Sequence, residues 1–185
     1  MDATAEASLS PASRLFPFEN DIDDFPEFVE AENQNTLYIR DLDYTKREIR
    51  LLRFEPGQDY NGPIRLYTRY TTLDVVKNLY EALSYTWNNP IPKGSRIPSK
   101  SSQTAVEPPY VEIFVNTQRF KVTPNLYFAL CRIRQKVATS GPHPYLWVDT
   151  ICINQSNLQE RTGQLRLMGD IYAYASEVII WLGEE

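Results

Sequence analysis

Three observations in the sequence predict an α/β fold: a mainly parallel sheet with flanking helices and an added β-hairpin. Residues 145–149 and 177–182 are short apolar strands on either side of a helical segment at 157–175. This is the βαβ pattern, in which the two strands run parallel with a right-handed crossover. The strand predicted at 80–87 is also largely apolar, as is typical of a strand buried on both faces. Residues 111–122 predict the hairpin, because two apolar runs flank a short polar turn.

The segments before the βαβ unit have strand and helix signals of their own. Residues 48–54 form a strand candidate that ends at the turn signal Glu55-Pro56-Gly57, and residues 64–70 alternate as a second strand does. Thr123 and Pro124 predict a helix start, with threonine as the N-cap and proline at the first helical position. That helix continues to Ser140 with an apolar stripe at helical spacing: Leu126, Leu130, Ile133 and Val137.

The last predicted helix and strand complete the order of elements. The helix at 157–175 is expected to bury one apolar stripe, made of Leu158, Leu165, Met168, Tyr172 and Ala175. The chain stops soon after the strand at 177–182, whereas a parallel sheet normally has helices on both faces. We therefore expect a sheet that is incomplete at its C-terminus, and a chain that is a fragment or a truncated gene product.

Charge divides the 185-residue chain into two parts. Residues 1–35 hold nine acidic residues and one arginine, and are rich in Ala, Ser and Pro, which predicts a disordered acidic leader. Residues 36–185 hold 15 acidic and 18 basic residues and are predicted to form the folded domain, interrupted by a Pro/Ser-rich loop at 88–110. Nucleic-acid binding is not expected, because this domain has no basic stripe.

The cysteines and the N-terminus bear on the cellular compartment. Cys131 and Cys152 form neither a disulfide framework nor a zinc motif, and His143 is the only histidine, so no metal site is expected. The N-terminus has no signal-peptide pattern, and no apolar run approaches the about 20 residues of a membrane span. These features predict a soluble protein of a reducing compartment, the cytoplasm.

Polar side chains follow two strands of the predicted sheet, at the edge where α/β sheets bind ligands. Ser84 and Tyr85 lie near the end of one strand, and Asp149, Asn154 and Gln155 follow another. We interpret these five residues as candidates for a binding pocket. For Asp149 two roles are equally compatible with the pattern, a catalytic carboxylate and an Asx-turn that binds backbone amides.

The helix after this edge adds two candidates, Glu160 and Gln164. A carboxylate in the first helical turn is stabilised by the helix dipole, and in a crevice Glu160 could contact a sugar hydroxyl or act as a base. The alternative is a capping-box glutamate paired with Asn157, which the local pattern favours because such caps are common. Cys152, between two isoleucines, is interpreted as a small buried apolar residue rather than a nucleophile.

Two motifs carry a resemblance to a known family. They are Tyr-Glu-Ala-Leu-Ser-Tyr-Thr-Trp at 80–87 and Leu-Trp-Val-Asp-Thr-Ile-Cys-Ile-Asn-Gln at 146–155, the second followed by Glu160-Arg161. Together they resemble the two signatures of the fungal heterokaryon incompatibility (HET) domain, and the resemblance extends over roughly residues 48–185. The first signature normally ends in Trp-Gly, whereas Asn88 follows Trp87 here. The family's domain also continues past the position of Gly183.

The resemblance implies a function in fungal non-self recognition, in which incompatible fusion triggers programmed cell death. It also implies a distant relation to Toll/interleukin-1 receptor (TIR) domains, and so a TIR-like or flavodoxin-like sheet. Some TIR domains cleave NAD with a glutamate near a helix start. In this chain Glu160 would have that role, Ser84, Tyr85 and Asp149 would shape the pocket, and NAD would be a substrate rather than a cofactor. The alternatives are a signalling module that self-associates or binds a death-signalling partner protein, and an inactive gene fragment.

Overall fold

The computed structural model describes residues 37–59, 61–87, 110–140 and 145–184, with the side chains of 138–140 left out. The chain divides into two units, Met1–Thr36 and Leu37–Glu185, and the described residues all belong to the second. The predicted acidic leader, His143 and the loop at 88–110 except for Tyr110 lie outside the described residues.

The described residues form seven strands, which make one sheet in the order β5-β4-β2-β1-β6-β3-β7. Their bounds are β1 Glu48–Phe54, β2 Arg65–Thr72, β3 Tyr80–Tyr85, β4 Val111–Val115, β5 Gln118–Val122, β6 Tyr145–Val148 and β7 Glu177–Trp181. The β4–β5 hairpin is confirmed, with Val111 opposite Val122 and Val115 opposite Gln118. Its turn places Asn116 and Thr117 at positive φ, as two-residue hairpin turns require.

The sheet is mixed, so the prediction of a mainly parallel sheet was wrong. Parallel pairing joins β6 to β3, β3 to β7 and β2 to β4, whereas β1 runs antiparallel to both β2 and β6. After Phe54 the chain turns back and β2 pairs antiparallel with β1, which in turn lies antiparallel beside β6 of the βαβ unit. Only β6, β3 and β7 have the parallel arrangement that the βαβ pattern predicted. An α/β fold is therefore present, and a TIR-like or flavodoxin-like sheet remains a hypothesis.

Besides a 3-10 helical turn at Tyr44–Lys46, three α-helices accompany the sheet within the described part of the chain. They are α1 Pro124–Ser140, α2 Asp149–Cys152 and α3 Leu158–Tyr174. Thr123 caps α1 as predicted, since its Oγ1 accepts a hydrogen bond from the backbone N–H of Leu126 at 3.3 Å. The predicted α1 stripe of Leu126, Leu130, Ile133 and Val137 is buried. The sequence did not predict α2, because a single helical turn inside a loop has no periodic signal.

The two long helices lie on opposite faces of the sheet. Neighbouring residues of β3 point to opposite faces, and their contacts identify which helix covers each face. Glu81 forms an ion pair with Lys136 of α1 at 3.0 Å. The hydroxyl of Tyr80 donates instead to the backbone carbonyl of Ile171 in α3. The sheet is thus the middle layer of three, and its central strand β1 is buried at Ile49, Arg50, Leu51 and Leu52.

The buried face of α3 differs from the predicted stripe. Leu158 and Leu165 are exposed, and Met168, Tyr172 and Ala175 are only half-buried. The residues that face the core are instead Glu160, Gly163, Gln164, Leu167 and Ile171. The apolar pattern failed here because two of the buried positions are polar and have partners on the sheet.

Gly163 allows α3 to pack closely on the turn at Tyr44–Lys46. A Cβ at this position would lie 2.9 Å from the Cβ of Tyr44, whereas a Cβ at Gly169 would meet nothing within 4 Å. We expect Gly163→Ala to lower the free energy of unfolding by about 1–2 kcal/mol, because a backbone-proximal clash must move the turn. Gly169→Ala, on the same helix, should raise it by about 0.5–1 kcal/mol through helix propensity.

Urea unfolding of the two alanine variants beside the wild type measures both changes. Effects of the same sign at the two glycines would contradict this account of the packing of α3.

No helix within the described residues is both long and apolar enough to cross a membrane.

Candidate functional site

A polar cluster lies at the carboxyl ends of β3 and β6, as the strand pattern predicted. The hydroxyl of Tyr85 is hydrogen-bonded to that of Thr150. The carboxylate of Asp149 accepts from the backbone N–H of Thr150 at 2.6 Å and from the indole N–H of Trp87 at 3.2 Å. Trp87 is 52% exposed. We call Tyr85, Trp87, Asp149 and Thr150 the strand-end cluster.

Of the other predicted pocket residues, some lie next to this cluster. The amide N–H of Gln155 donates to the backbone carbonyl of Asp149 at 3.0 Å. Ser84 lies half-buried on the α3 face of β3. The side chain of Asn154 accepts from the backbone N–H of Ser156 at 3.1 Å, which is a local turn contact.

The polar side chains of the strand-end cluster are hydrogen-bonded mainly to one another and to their own loop, and they leave few reactive groups exposed. Asp149 Oδ1 accepts from both the backbone N–H and the hydroxyl of Thr150, the next residue, whereas an Asx-turn would bind the amide two residues on. Burial raises the pKa of Tyr85 well above its ordinary value, so its phenol stays protonated. The exposed ring of Trp87 is the part of the cluster that a planar ligand could contact.

Glu160 lies in a different place, beneath the central strand. Its carboxylate accepts two hydrogen bonds from the guanidinium of Arg50, at 2.5 Å and 2.9 Å. The backbone N–H groups of Asn154 and Leu42 donate to the same carboxylate at 2.7 Å and 3.2 Å. Glu160 is 4% exposed and Arg50 is 0% exposed. Four donors therefore surround a carboxylate that has almost no contact with solvent.

The guanidinium of Arg50 is held on its other sides as well. It donates to the backbone carbonyls of Cys152 at 3.1 Å and Arg40 at 2.7 Å. The rings of Tyr38 and Tyr70 lie 4.6 Å and 4.8 Å from its central carbon, in cation–π contact. Arg50 thereby joins β1, the segment before it and the end of α2. Together with Glu160 it forms what we call the buried ion pair.

The environment of Glu160 keeps its carboxylate ionised. Burial alone would raise the pKa of Glu160, but the hydrogen bonds from Arg50 and from the backbone N–H of Asn154 outweigh it and hold this pKa below its ordinary value. Asn157 caps α3, and its side chain accepts from the backbone N–H of Glu160 at 3.0 Å. The capping interpretation therefore describes the backbone of Glu160, while its carboxylate serves the buried ion pair.

Gln164 belongs with the buried ion pair rather than with the strand-end cluster. Its amide N–H donates to the backbone carbonyl of Glu48 in β1 at 2.7 Å, and it is 1% exposed. The predicted site residues thus divide into two groups. Tyr85, Asp149 and Gln155 meet at the strand ends, whereas Glu160 and Gln164 fasten α3 to β1.

Cys152 is buried, as its apolar neighbours predicted. Its sulfur accepts from the backbone N–H of Val148 at 3.3 Å, and burial raises the pKa of the thiol to about 12. Such a thiol stays protonated at neutral pH, which disfavours nucleophilic chemistry. Among the described residues, no group of three or more His, Cys, Asp or Glu side chains could hold a metal ion.

Arg50 is the residue that the sequence did not single out. A signal for it exists, because Ile49, Leu51 and Leu52 place apolar residues on both faces of β1. A strand covered on both faces buries every side chain in its middle, so its arginine requires a buried acidic partner. Glu160 in the first turn of a helix is such a partner.

The edge of the sheet at β7 exposes a row of apolar side chains. Val178 and Ile180 pair in register with Ala82 and Ser84, on the α3 face. Val178 is 41% exposed, Ile180 is 70% exposed, and Leu182, just after the strand, is 74% exposed. We call these three residues the β7 row. Exposed apolar rows on an unpaired strand are typical of sites that bind another chain.

The other face of β7 is fastened to α1. The indole N–H of Trp181 donates to the side-chain oxygen of Asn125 at 2.8 Å. Lys136 pairs with Glu177 at 2.7 Å, and Arg132 pairs with Glu184 at 2.8 Å. The strand is thus positioned by α1, while the β7 row on the opposite face has little cover from the described residues.

These observations define an α/β domain with a mixed sheet, a polar cluster at the ends of β3 and β6, and a buried ion pair beneath β1. The family model described as "Heterokaryon incompatibility protein (HET)" matches residues 80–185, more than half of the chain, so the chain belongs to this family. The match begins at Tyr80 of β3 and includes the strand-end cluster, Glu160 and β7.

A curated relative is heterokaryon incompatibility protein 6, OR allele, of the fungus Neurospora crassa. It is 32% identical over 136 residues, which cover 73% of this chain and 18% of the relative. The chain therefore spans less than a fifth of the length of that relative. No solved structure matches the chain.

Proposed function

We propose that this HET domain takes part in fungal non-self recognition by triggering programmed cell death in the cytoplasm, and that it does so by binding another protein chain along β7. The observation that carries the proposal is the β7 row, with Ile180 70% exposed on an edge strand. The printed name of the curated relative, a heterokaryon incompatibility protein, supports the cellular process.

The geometry of Glu160 argues against catalysis by this residue, and so favours the proposal of binding along β7. A glutamate that stabilises a sugar cation must reach the substrate, whereas this carboxylate is enclosed by Arg50 and two backbone N–H groups. Its removal would leave Arg50 buried without a counter-charge. The side chains of the β7 row, in contrast, are accessible without any rearrangement of the core.

Expression of the chain in fungal hyphae tests the proposal. We expect the wild type to arrest growth and Ile180→Lys to relieve the arrest at least tenfold in surviving colonies, because a charge on the edge opposes strand pairing. Leu165→Lys is the matched control, since Leu165 is an exposed apolar residue on α3, 56% exposed. It should arrest growth as the wild type does.

Two outcomes would contradict the proposal. One is growth arrest by Ile180→Lys at equal protein level. The other is unimpaired growth with the wild type.

NAD cleavage is the second candidate function, and the exposed ring of Trp87 beside Asp149 favours it. An aromatic face and a carboxylate at the strand ends are the groups that a nicotinamide nucleotide could contact. In this alternative Ser84, Tyr85, Asp149 and Gln155 would shape the pocket. Incubation of the purified wild type and of Ile180→Lys with NAD distinguishes the candidates, since equal NAD loss in both would locate the activity away from β7.

A further inference from the structure

We infer that the chain that binds β7 is a second copy of this domain, paired antiparallel along β7 in a register centred on Ile180. The inference rests on the proposed function and names its partner. Four features of β7 support it: the direction of its free backbone groups, the pattern of its side chains, its charges and its place in the sheet.

The backbone groups of β7 that pair with no described strand fit this register. The backbone N–H of Ser176 donates to the carbonyl of Tyr80 at 2.8 Å, so the even-numbered residues of the strand face β3. In an alternating strand the N–H and C=O groups of Glu177, Ile179 and Trp181 then face the open edge. Antiparallel pairing centred on Ile180 sets Ile179 opposite Trp181 of the second copy, and these two residues exchange both hydrogen bonds.

The side chains of the β7 row complement themselves in the same register. Val178 faces Leu182 of the second copy, Ile180 faces its own counterpart, and Leu182 faces Val178. Directly opposite residues of an antiparallel pair lie on the same face. Six apolar side chains thus form one continuous row on the α3 face, where each copy alone leaves three exposed.

The charges near β7 do not oppose self-pairing. Natural edge strands often prevent such pairing with unpaired charges, prolines or bulges, and Glu177–Trp181 contains neither proline nor bulge. Glu177, the first residue of the strand, and Glu184, just after it, are already paired with Lys136 and Arg132 of α1. In the inferred register Glu177 lies opposite Gly183 and Glu184 opposite Ser176, so no two carboxylates face each other.

Self-pairing also continues the existing sheet. β7 is the last strand in the order of the seven described strands, and pairing two copies gives one sheet of fourteen. Open sheets of about 8–15 strands occur in α/β proteins. The contact is a short strand pair rather than an extensive interface, so we expect a dimer that dissociates on dilution.

Disulfide trapping tests the register. In an antiparallel pair, the opposite residues that share no hydrogen bonds have Cα atoms about 4.5 Å apart, within the about 4.4–6.8 Å that a disulfide requires. Ile180 is such a residue opposite itself. We expect Ile180→Cys, in a Cys131→Ser background, to form a covalent dimer under mild oxidation at least tenfold faster than Val75→Cys. Val75, 58% exposed between β2 and β3, is the matched control.

A second measurement does not depend on the thiol. Light scattering of the wild type at rising concentration should show mass approaching that of a dimer, and Ile180→Lys should stay monomeric. Equal cross-linking at positions 75 and 180, or a wild type that stays monomeric at every concentration, would overturn the inference. Such a monomer would leave the edge to another protein or to another segment of the same chain.

The failures of the two proposals are distinguishable. If Ile180→Cys cross-links but Ile180→Lys still arrests growth, the dimer stands and the proposed function fails. If Ile180→Lys relieves the arrest while no cross-link forms, the proposed function stands and the partner is not a second copy.

Discussion

Replacing Arg50 with methionine is expected to lower the free energy of unfolding by about 3–5 kcal/mol, since the carboxylate of Glu160 would remain buried without its counter-charge. Arg50 is the donor of four hydrogen bonds, to Glu160 and to the carbonyls of Cys152 and Arg40. A domain of this size has a stability of about 5–15 kcal/mol. The variant should therefore unfold at a much lower urea concentration.

A double-mutant cycle separates the ion pair from the rest of the site. We expect Glu160→Leu alone to be about as destabilising as Arg50→Met. The double variant should lose less than the sum of the two, with a coupling of about 1–3 kcal/mol. Additive losses, or a loss below about 1 kcal/mol for Arg50→Met, would contradict the role of the buried ion pair.

The pH dependence gives this prediction a second readout. Because the folded-state pKa of Glu160 is lowered, its contribution to stability is present above the unfolded pKa and is lost as the pH falls through the folded pKa. The wild type should thus lose stability below about pH 4.3, the ordinary pKa of a glutamate. Glu160→Leu should lose less over the same range.

The buried position of Glu160 determines which variant can test for NAD cleavage. Glu160→Ala is the usual kind of variant for testing a catalytic glutamate, but Glu160 is buried, so this variant removes a core side chain. Loss of activity in that variant would not distinguish a missing catalytic group from an unfolded domain. Asp149→Asn is the better variant for NAD cleavage, because Asp149 lies at the half-exposed strand ends beside Trp87.

Local patterns predicted the strands and the first long helix well. Residues 48–54 and 111–115 form strands over the predicted ranges, because their apolar residues and turn signals are local properties. Thr123 and Pro124 likewise determine the start of α1 without help from the rest of the chain. Elements whose signals lie within about ten residues of sequence could therefore be predicted without the structure.

Properties that depend on distant partners were not accessible. The direction of β1 relative to β6 depends on how the β1–β2 pair packs beside the βαβ unit, and nothing in residues 48–54 encodes it. The buried face of α3 was misassigned because Glu160 and Gln164 count as polar, and their partners Arg50 and Glu48 lie more than 100 positions earlier. A polar residue becomes a core residue only when its partner is known.

The candidate site shows the same difference between residues with local signals and residues with distant partners. The sequence placed Tyr85 and Asp149 together because parallel strands end at a common edge, and the structure brings them together through Thr150. It grouped Glu160 with them on the same reasoning, since the start of a helix faces that edge. The ion pair with Arg50 holds the Glu160 side chain beneath β1 instead, and no local sequence pattern predicts this contact.

Asn125 links β7 to the end of β3 and to α1. It is 3% exposed at the start of α1. Its amide N–H donates to the carbonyl and hydroxyl of Thr86 at 2.8 Å and 3.0 Å, and its oxygen accepts from the indole of Trp181. One side chain thereby fastens the ends of β3 and β7 to the same helix.

We expect Asn125→Ala to lower the free energy of unfolding by about 2–4 kcal/mol, because partly buried groups of Thr86 and Trp181 each lose a partner at about 1–3 kcal/mol. Hydrogen exchange of the β7 amides should accelerate more than that of β1. Trp181→Phe is the control, since it removes the indole donor and part of the ring but keeps both bonds from Asn125 to Thr86, and it should cost less, about 1 kcal/mol for the hydrogen bond. Equal acceleration in β1 and β7 would show that Asn125 stabilises the whole domain rather than holding this edge. If the edge is the surface through which the domain associates, Asn125→Ala should also weaken the Ile180→Cys cross-link, because a strand that moves independently of α1 no longer presents Val178, Ile180 and Leu182 in one row.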